Sequence, residues 1–437
     1  CRKSTSGAIR FTNAVAYDTT NDKVMIAFTD YGDSSKGKVI VGDVNASSES
    51  VTFGTAVQFA ANDTRYISCA FDPDRGKIIV GYANNGNNDA YTYNVGAYSG
   101  TNSITWSSSG ETTLYSNAIQ HNVLIYDTTN NKINFIWNNQ GNELRSATGD
   151  VNTNNTLTLG STVEITSDNP DTVGGVWYAS EGKMVIVYRN STQNGKGYYT
   201  VGTYDPTHDN DGGNGATWST PTTWNTDTVD KVNAVYDSNV NRMVVLYRDT
   251  NNSNYGTAVV GSLSGTTMTW GTPVVFNTGD TEEISSTFDS TNNKVIISYK
   301  DIGDSNYTKV IVGTVGGSNN RSISFGSEIS VNNTGTTNTG VQYDPDQDRS
   351  VVFYNDGTLN GTASAKVLST ATNTTTNLTT ENYIGLAAAG ISSGATGTIT
   401  IPGGIDSNQT GLTTGRTYYV QPDGTLATSA GSPQVVA

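Results

Sequence analysis

Cysteine, histidine and charge are all scarce in this chain of 437 residues. Its two cysteines, Cys1 and Cys69, make no disulfide framework. Cys69 sits in a strand-like run beside Phe71, where a small buried hydrophobe is expected rather than a redox group. No Met precedes Cys1, so the chain reads as processed or as a piece of a longer one, and a lipidated N-terminus is a minor expectation. The two histidines, His121 and His208, fall far apart in segments that read as loops. Each is expected to be an ordinary surface residue, not a general base or metal ligand. Charged residues are only 14% of the chain, and 24 Lys and Arg against 39 Asp and Glu leave a net charge of −15. An acidic surface repels phosphate backbones, which argues against nucleic acid as a partner. No apolar run approaches the roughly 20 residues that a spanning helix needs, so no membrane insertion is expected.

What is present is Asn, Thr, Ser and 47 Gly, a polar stock that suits tight turns because Gly and Asn accept positive φ. Hydrophobic residues, 35% of the chain, come in short regular bursts. The aromatics (6 Trp, 24 Tyr, 10 Phe) recur at fixed places, which argues against disorder.

Three segments expose a repeat: AVAYDTTNDKVMIAFTD, CAFDPDRGKIIVGYAN and STFDSTNNKVIISYKD. Anchored on the aromatic of the aromatic-Asp pair, the copies begin from Tyr17, Phe71, Tyr126, Trp177, Tyr236, Phe288 and Tyr343, at intervals of 54, 55, 51, 59, 52 and 55 residues. Each copy reads as four strands, lettered a to d. Strand a ends at the anchor, and a turn of the form Asp-x-x-x-Asn-Lys follows, as in Asp127 to Lys132. Strand b is a nearly continuous apolar run, such as Val295 to Tyr299, which predicts cover on both faces. Strand c carries a Val-Gly pair (Val41-Gly42, Val95-Gly96, Val201-Gly202, Val260-Gly261, Val312-Gly313), with Thr148-Gly149 in the third copy. Strand d holds a large residue at Phe53, Trp106, Leu159, Trp218, Trp270 and Phe325.

One four-stranded unit cannot cover both of its faces, whereas seven stacked radially cover one another. The expected fold is therefore all-β: a seven-bladed β-propeller of four-stranded antiparallel blades over residues 1–384, rather than a linear solenoid. The seventh copy diverges, with no Val-Gly pair around Lys366 to Leu368. Leu378 and Ile384 match the spacing of Phe53 and Phe59, so residues 376–384 are expected as its strand d. The ring is then expected to close by packing, without a strand from residues 1–12.

From Gly385 the repeat stops, and residues 385–437 hold three strand-like bursts between Gly, Asn and Asp turns, a small C-terminal β module. Its segment GLTTGRTYYVQPDGTLATS resembles a module of virion proteins of tailed bacteriophages, marine and cyanobacterial ones especially. The propeller repeats are similar to those of phage tail and fibre proteins. The resemblance implies a structural or adhesive virion component, located in the virion or otherwise extracellular. Its implied partners are other virion proteins, copies of itself, and a host-surface glycan or protein. It implies no catalytic residue, no metal and no cofactor.

Strand b ends in aromatic-x-Asp/Asn in every copy, at Asp30, Asn84, Asn139, Asn190, Asp249, Asp301 and Asp356. Chain direction puts these ends, the b–c loops and the d–a loops on one face of the disc. Short polar side chains there most simply hydrogen-bond the turn backbone; binding of cations or sugar hydroxyls is the alternative. The residue between is Arg189, Arg248 and Lys300 in copies four to six, but Thr29, Ala83, Asn138 and Asn355 elsewhere. Together with Asp249, Asp301, Asp230, Glu282 and Glu283 these cations form the candidate ligand- or partner-binding set. They either grip carboxylated or sulfated sugars or form surface salt bridges to Glu282, Glu283 or Asp230.

Sialidases are propellers too, but their Ser-x-Asp-x-Gly-x-Thr-Trp box is met here only by GGNGATW and SGTTMTW, which lack the Asp. The turns DTTNDK, DPDRGK and DPDQDR are too short for calcium loops and lack the terminal Glu. The chain is expected not to be an enzyme. Its expected role is a virion structural protein, a tail-fibre or appendage component for host recognition or particle assembly. The alternatives are a secreted or cell-surface lectin-like adhesin, and a glycan depolymerase or sialidase on the same scaffold.

Overall fold

The computed structural model describes residues 9–140, 142–207, 214–357 and 362–370, and the short pieces 386–387, 399–400, 413, 418–420, 426–428 and 435–436. The chain divides into two compact units, Cys1–Thr370 and Ala371–Ala437. The first is a seven-bladed β-propeller of antiparallel blades, and no α-helix occurs among the described residues. In the second, Leu386–Ala387 pairs with Ile399–Thr400, and Tyr419–Val420 pairs with both Leu426–Ala427 and Val435–Val436.

Strand b makes the ring. It runs Lys23–Asp30, Lys77–Asn84, Lys132–Asn139, Lys183–Asn190, Arg242–Asp249, Lys294–Asp301 and Arg349–Asp356 in the seven blades. Successive side chains point to opposite faces, and here both faces are buried. In blade two, Ile78, Val80 and Tyr82 pack with Met25, Val39 and Phe59 of blade one, while Ile79 and Ala83 pack with Phe135 and Trp137 of blade three. The same alternation yields a hydrophobic cluster at each of the seven blade interfaces. One of them sets Val351 and Phe353 of blade seven against Tyr17, Ile26 and Phe28 of blade one. Across that seam the Tyr17 hydroxyl donates to Asp344 at 2.9 Å. The seam is thus packed, while residues 1–8, which bear on whether a strand is also borrowed across it, lie outside the described residues. Ile9–Asp18 pairs with strand b of its own blade, and the segment 376–384, expected as the outer strand of blade seven, lies outside the described residues.

The repeated turn residues have local causes. Asp127 Oδ1 accepts the backbone N–H groups of Thr129 at 2.8 Å and Asn130 at 2.9 Å. Asp18, Asp72, Asp237, Asp289 and Asp344 bind their own turns in the same way. The residue before the Lys or Arg is left-handed in all seven blades: Asp22, Gly76, Asn131, Gly182, Asn241, Asn293 and Asp348, with φ from 50 to 62°. Only Gly, Asn and Asp visit that region readily, and only they stand there.

The Val-Gly pair and the large residue of strand d turn out to be one feature. Gly42 lies opposite Phe53, Gly96 opposite Trp106, Gly149 opposite Leu159, Gly202 opposite Trp218, Gly261 opposite Trp270 and Gly313 opposite Phe325. A Cβ on Gly261 would sit 2.4 Å from Met268 Cε and 2.6 Å from Trp270 Cζ3. Each glycine is the seat of the side chain across from it. In blade seven Leu368 pairs with Ser350 as Gly42 pairs with Val24, so that seat is filled.

The expected d–a loops are, at four junctions, not loops. Val57–Asp72, Thr112–Asp127, Thr222–Asp237 and Val274–Asp289 are single strands of 16 residues. The first half of each is the outer strand of one blade, and the second half is the inner strand of the next. The chain crosses between blades through a β-bulge, which re-aims side chains without ending the strand.

Replacing Gly261 with Ala should displace Trp270, which already packs against Tyr199 and Trp224. We expect a cost of about 1–3 kcal/mol, read as a lower denaturation midpoint with shifted tryptophan fluorescence. Gly316→Ala, where a Cβ meets nothing within 4 Å, should leave both unchanged.

Candidate functional site

The face at the ends of strand b carries the charged residues picked out above. Arg189, Arg248 and Lys300 occupy one register position in three consecutive blades, opposite Asp171, Asp230 and Glu282 of strand a. Every one of them has carboxylate partners. Arg189 Nη1 donates to Asp171 Oδ2 at 3.0 Å and to Ser191 Oγ at 2.9 Å. Arg248 lies 2.7 Å from Asp280 Oδ1, 3.6 Å from Asp230 Oδ2 and 3.8 Å from Glu282 Oε1. Lys300 Nζ lies 3.1 Å from Glu282 Oε2. Asp249 and Asp301 turn instead to the b–c backbone: Asp249 Oδ1 accepts from Asn251 and Asn252, each at 3.2 Å, and Asp301 Oδ1 accepts from Asp304 at 3.2 Å. Burial raises the carboxyl pKa of both.

Two of these carboxylates, Asp171 and Asp280, had not been singled out. A signal for the first is present in the sequence: Asp171, Asp230 and Glu282 each stand six residues before the anchor of the copies whose strand b carries a cation. Asp230, Glu282 and Glu283, expected on d–a loops, sit within the continuous crossing strands.

Inside this rim, the inner strands surround an axial cavity of about 410 Å³. Its mouth is formed by Tyr66, His121, Thr172, Lys231, Glu283 and Asn338. Expected in a loop, His121 belongs to the crossing strand Thr112–Asp127, and that strand carries it to the axis. Its Nε2 lies 3.0 Å from Asp171 Oδ1, and its ring is 5.3 Å from that of Tyr66. His208 lies outside the described residues. Asp171 thus joins His121 to Arg189. The hydrogen bond from His121, aided by the Arg189 charge, holds the Asp171 carboxyl down at about 2. Glu283 behaves oppositely: burial raises its pKa, and Asn338 Nδ2 donates to its Oε2 at 2.9 Å. Cys69 lines the cavity deeper in, where burial pushes its thiol up to about 12.

Among the described residues no group of three or more His, Cys, Asp or Glu side chains is placed to hold a metal ion. No helix of the described chain is long and apolar enough to cross a membrane.

No protein-family model and no curated protein matches the chain. Solved structures with a similar course include the NanB sialidase of Streptococcus pneumoniae, at 11% identity and a TM-score of 0.46 over 85% of this chain and 70% of that one. A leech intramolecular trans-sialidase gives 11% identity and a TM-score of 0.46 over 83% and 68%. At that level the likeness assigns no chemistry to any residue here.

The Asp171 pairing makes a testable contribution to acid stability. Its folded pKa lies below the ordinary value of 3.8, so the stabilisation is complete above about pH 4 and is lost as pH falls through about 2. Its side chain is 36% exposed, and solvent screening leaves about 1 kcal/mol. Asp171→Asn should flatten the acid limb of the stability curve between those pH values. An unchanged acid limb would show that the ion pair carries no weight.

Proposed function

We propose that the chain is a non-catalytic recognition module, a tail-fibre or appendage part of a virion, which holds host-surface glycan or protein on the face that carries strand b's ends. The observation that supports this reading most is the matching of that face's cations. Arg189, Arg248 and Lys300 are each within 3.1 Å of a carboxylate oxygen, so none of the three cations is left unmatched and the acids named around the mouth outnumber them. Such a surface suits hydrogen bonding to hydroxyls and amides better than a grip on an anion, which needs unmatched cations. The blades provide a rigid frame, and the residues at its mouth differ from copy to copy, which is where rigid folds place specificity.

A hydrolase on the same scaffold is the second reading. Most glycoside hydrolases use two carboxyl groups flanking the scissile bond, and sialidases use a tyrosine nucleophile instead; among the described residues that line the cavity Glu283 is the single carboxylate and Tyr66 the single tyrosine. The virion assignment rests on the resemblance of the repeats and the C-terminal segment, and other virion proteins or further copies of the chain are its proposed neighbours.

The purified chain should adsorb to host cells or to arrayed neutral host glycans, and its adsorption to the neutral glycans should change little between low and high salt, because a neutral ligand carries no charge for salt to screen. Mass spectrometry of purified virions should find the chain. Reducing sugar released from the same glycans, or adsorption to them abolished by moderate salt, would overturn the reading.

A further inference from the structure

Four residues at the cavity mouth share a backbone conformation that their type disfavours. Tyr66, Thr172, Lys231 and Glu283 have φ of 48, 44, 50 and 51°. Each sits in the bulge of strand a, where the register with strand b shifts, in blades two, four, five and six. Side chains with a Cβ are strained in this left-handed region, and for β-branched Thr172 the conformation is a true outlier.

Exposed turns elsewhere also place Ser34, Glu49 and Thr101 at positive φ, but the one left-handed position that all seven blades repeat is more selective. At the a–b turn the left-handed position is filled by Gly, Asn or Asp in all seven blades. At the bulge the geometry repeats too, yet none of the four residues is Gly, Asn or Asp, and no two are alike. Strain is kept there for the sake of particular side chains, and retained strain of this kind gathers at ligand sites.

The four side chains line one cavity, and two of them, Thr172 and Lys231, keep polar atoms left unpaired among the described residues. Thr172 Oγ1 is buried with no hydrogen-bond partner. The Lys231 ammonium pairs with no carboxylate among the described residues, although its charge still acts on Glu283. His121 and Asn338 complete the polar ring, while the rings of Tyr66 and His121, tilted by 55°, form an aromatic corner, either ring of which offers a face. Ile67, Val173, Val232 and Ile284 lie among the remaining lining. The cavity therefore offers donors, acceptors and an apolar wall, with one ammonium against one carboxylate. A neutral sugar ring has the complementary surface, hydroxyls at its edge and C–H groups on its face. The volume of about 410 Å³ is within the range of small-ligand sites.

We propose that this axial cavity binds the terminal residue of a neutral saccharide, with Lys231, Glu283, Thr172 and Asn338 on its hydroxyls and the Tyr66–His121 pair on its face. This deepens the recognition role proposed above and rests on it.

The test exploits the strain. Lys231→Gly and Glu283→Gly remove the side chains and suit the left-handed backbone, so both variants should melt at or above the wild-type temperature. Galactose, N-acetylglucosamine and lactose, titrated into the full chain by calorimetry or saturation-transfer NMR, should bind the wild type, and at least one should bind each variant about tenfold more weakly. Galacturonic acid should bind less well than galactose. The assignment is overturned if none of the three neutral sugars binds the wild type at millimolar concentration, if both variants bind as the wild type does, or if galacturonic acid binds best. A drop in melting temperature alongside lost binding would place these side chains in the fold and overturn it too. Adsorption to host cells separates the two levels: if the wild-type chain adsorbs but the variants adsorb equally well, the cavity fails and the recognition role stands. If the wild type does not adsorb at all, the role itself fails.

Discussion

The structure depends on strand b being apolar on both faces. Val24 to Phe28, Ile78 to Tyr82 and Val295 to Tyr299 have no side that can face water, so each blade needs a neighbour on either hand. A linear stack of such blades would leave two b strands exposed at its ends. A ring leaves none, which is why Phe353 meets Phe28 across the seam rather than solvent. Hydrophobic burial of this kind is non-directional and sets only that the blades must close. The local devices then set how they do so: the turn aspartates, the left-handed residue before each Lys or Arg, and the glycine under each strand-d side chain.

Much of this was legible in the sequence because it repeats. The anchors Tyr17 to Tyr343 and the double-faced run of strand b each stand for one physical requirement met seven times, and the turn aspartate for one met six times, with Tyr178 in its place in blade four. The link between Val-Gly and the large strand-d residue was not legible. The two lie 9 to 16 residues apart in the chain, from Gly261–Trp270 to Gly202–Trp218, and only register places one over the other. The continuous crossing strands were missed for a different reason. Residues such as Asn62, Asp63 and Thr64 are polar and look like a loop, yet they stay in the strand Val57–Asp72 because its first half pairs with one blade and its second with the next.

That crossing also explains which parts of the candidate site were visible. Arg189, Arg248 and Lys300 could be aligned because strand b has a constant length from the anchor, and they do occupy one register position. His121 reads as a loop residue in the sequence because its polar neighbours Gln120 and Asn122 hide the strand Thr112–Asp127 that carries it. The left-handed bulge left no trace at all, since Tyr, Thr, Lys and Glu are not residues that announce positive φ. Glycine or asparagine at those positions would have drawn attention to the backbone and would have removed the side chains that matter.

The crossing strand joins the stability of the ring to the chemistry at its centre. Its outer half is held by strand c of one blade and its inner half by strand b of the next, and the bulge within the inner half is clamped by strand b pairs on both sides, Arg65 with Ala83 and Ser68 with Gly81 in blade two. Bulge residues can therefore stay in an unfavourable conformation without unravelling the strand, and the acids before them help: Asp171 Oδ1 accepts the Thr172 N–H and Asp230 Oδ1 accepts the Lys231 N–H, each at 2.9 Å. The same acids face outward to Arg189 and Arg248. One carboxylate thus fixes a strained backbone on the axis and neutralises a cation on the rim. Loss of the acid removes both contacts at once, whereas a change of the bulge residue itself leaves both in place. The axis can vary blade by blade while the ring around it stays the same.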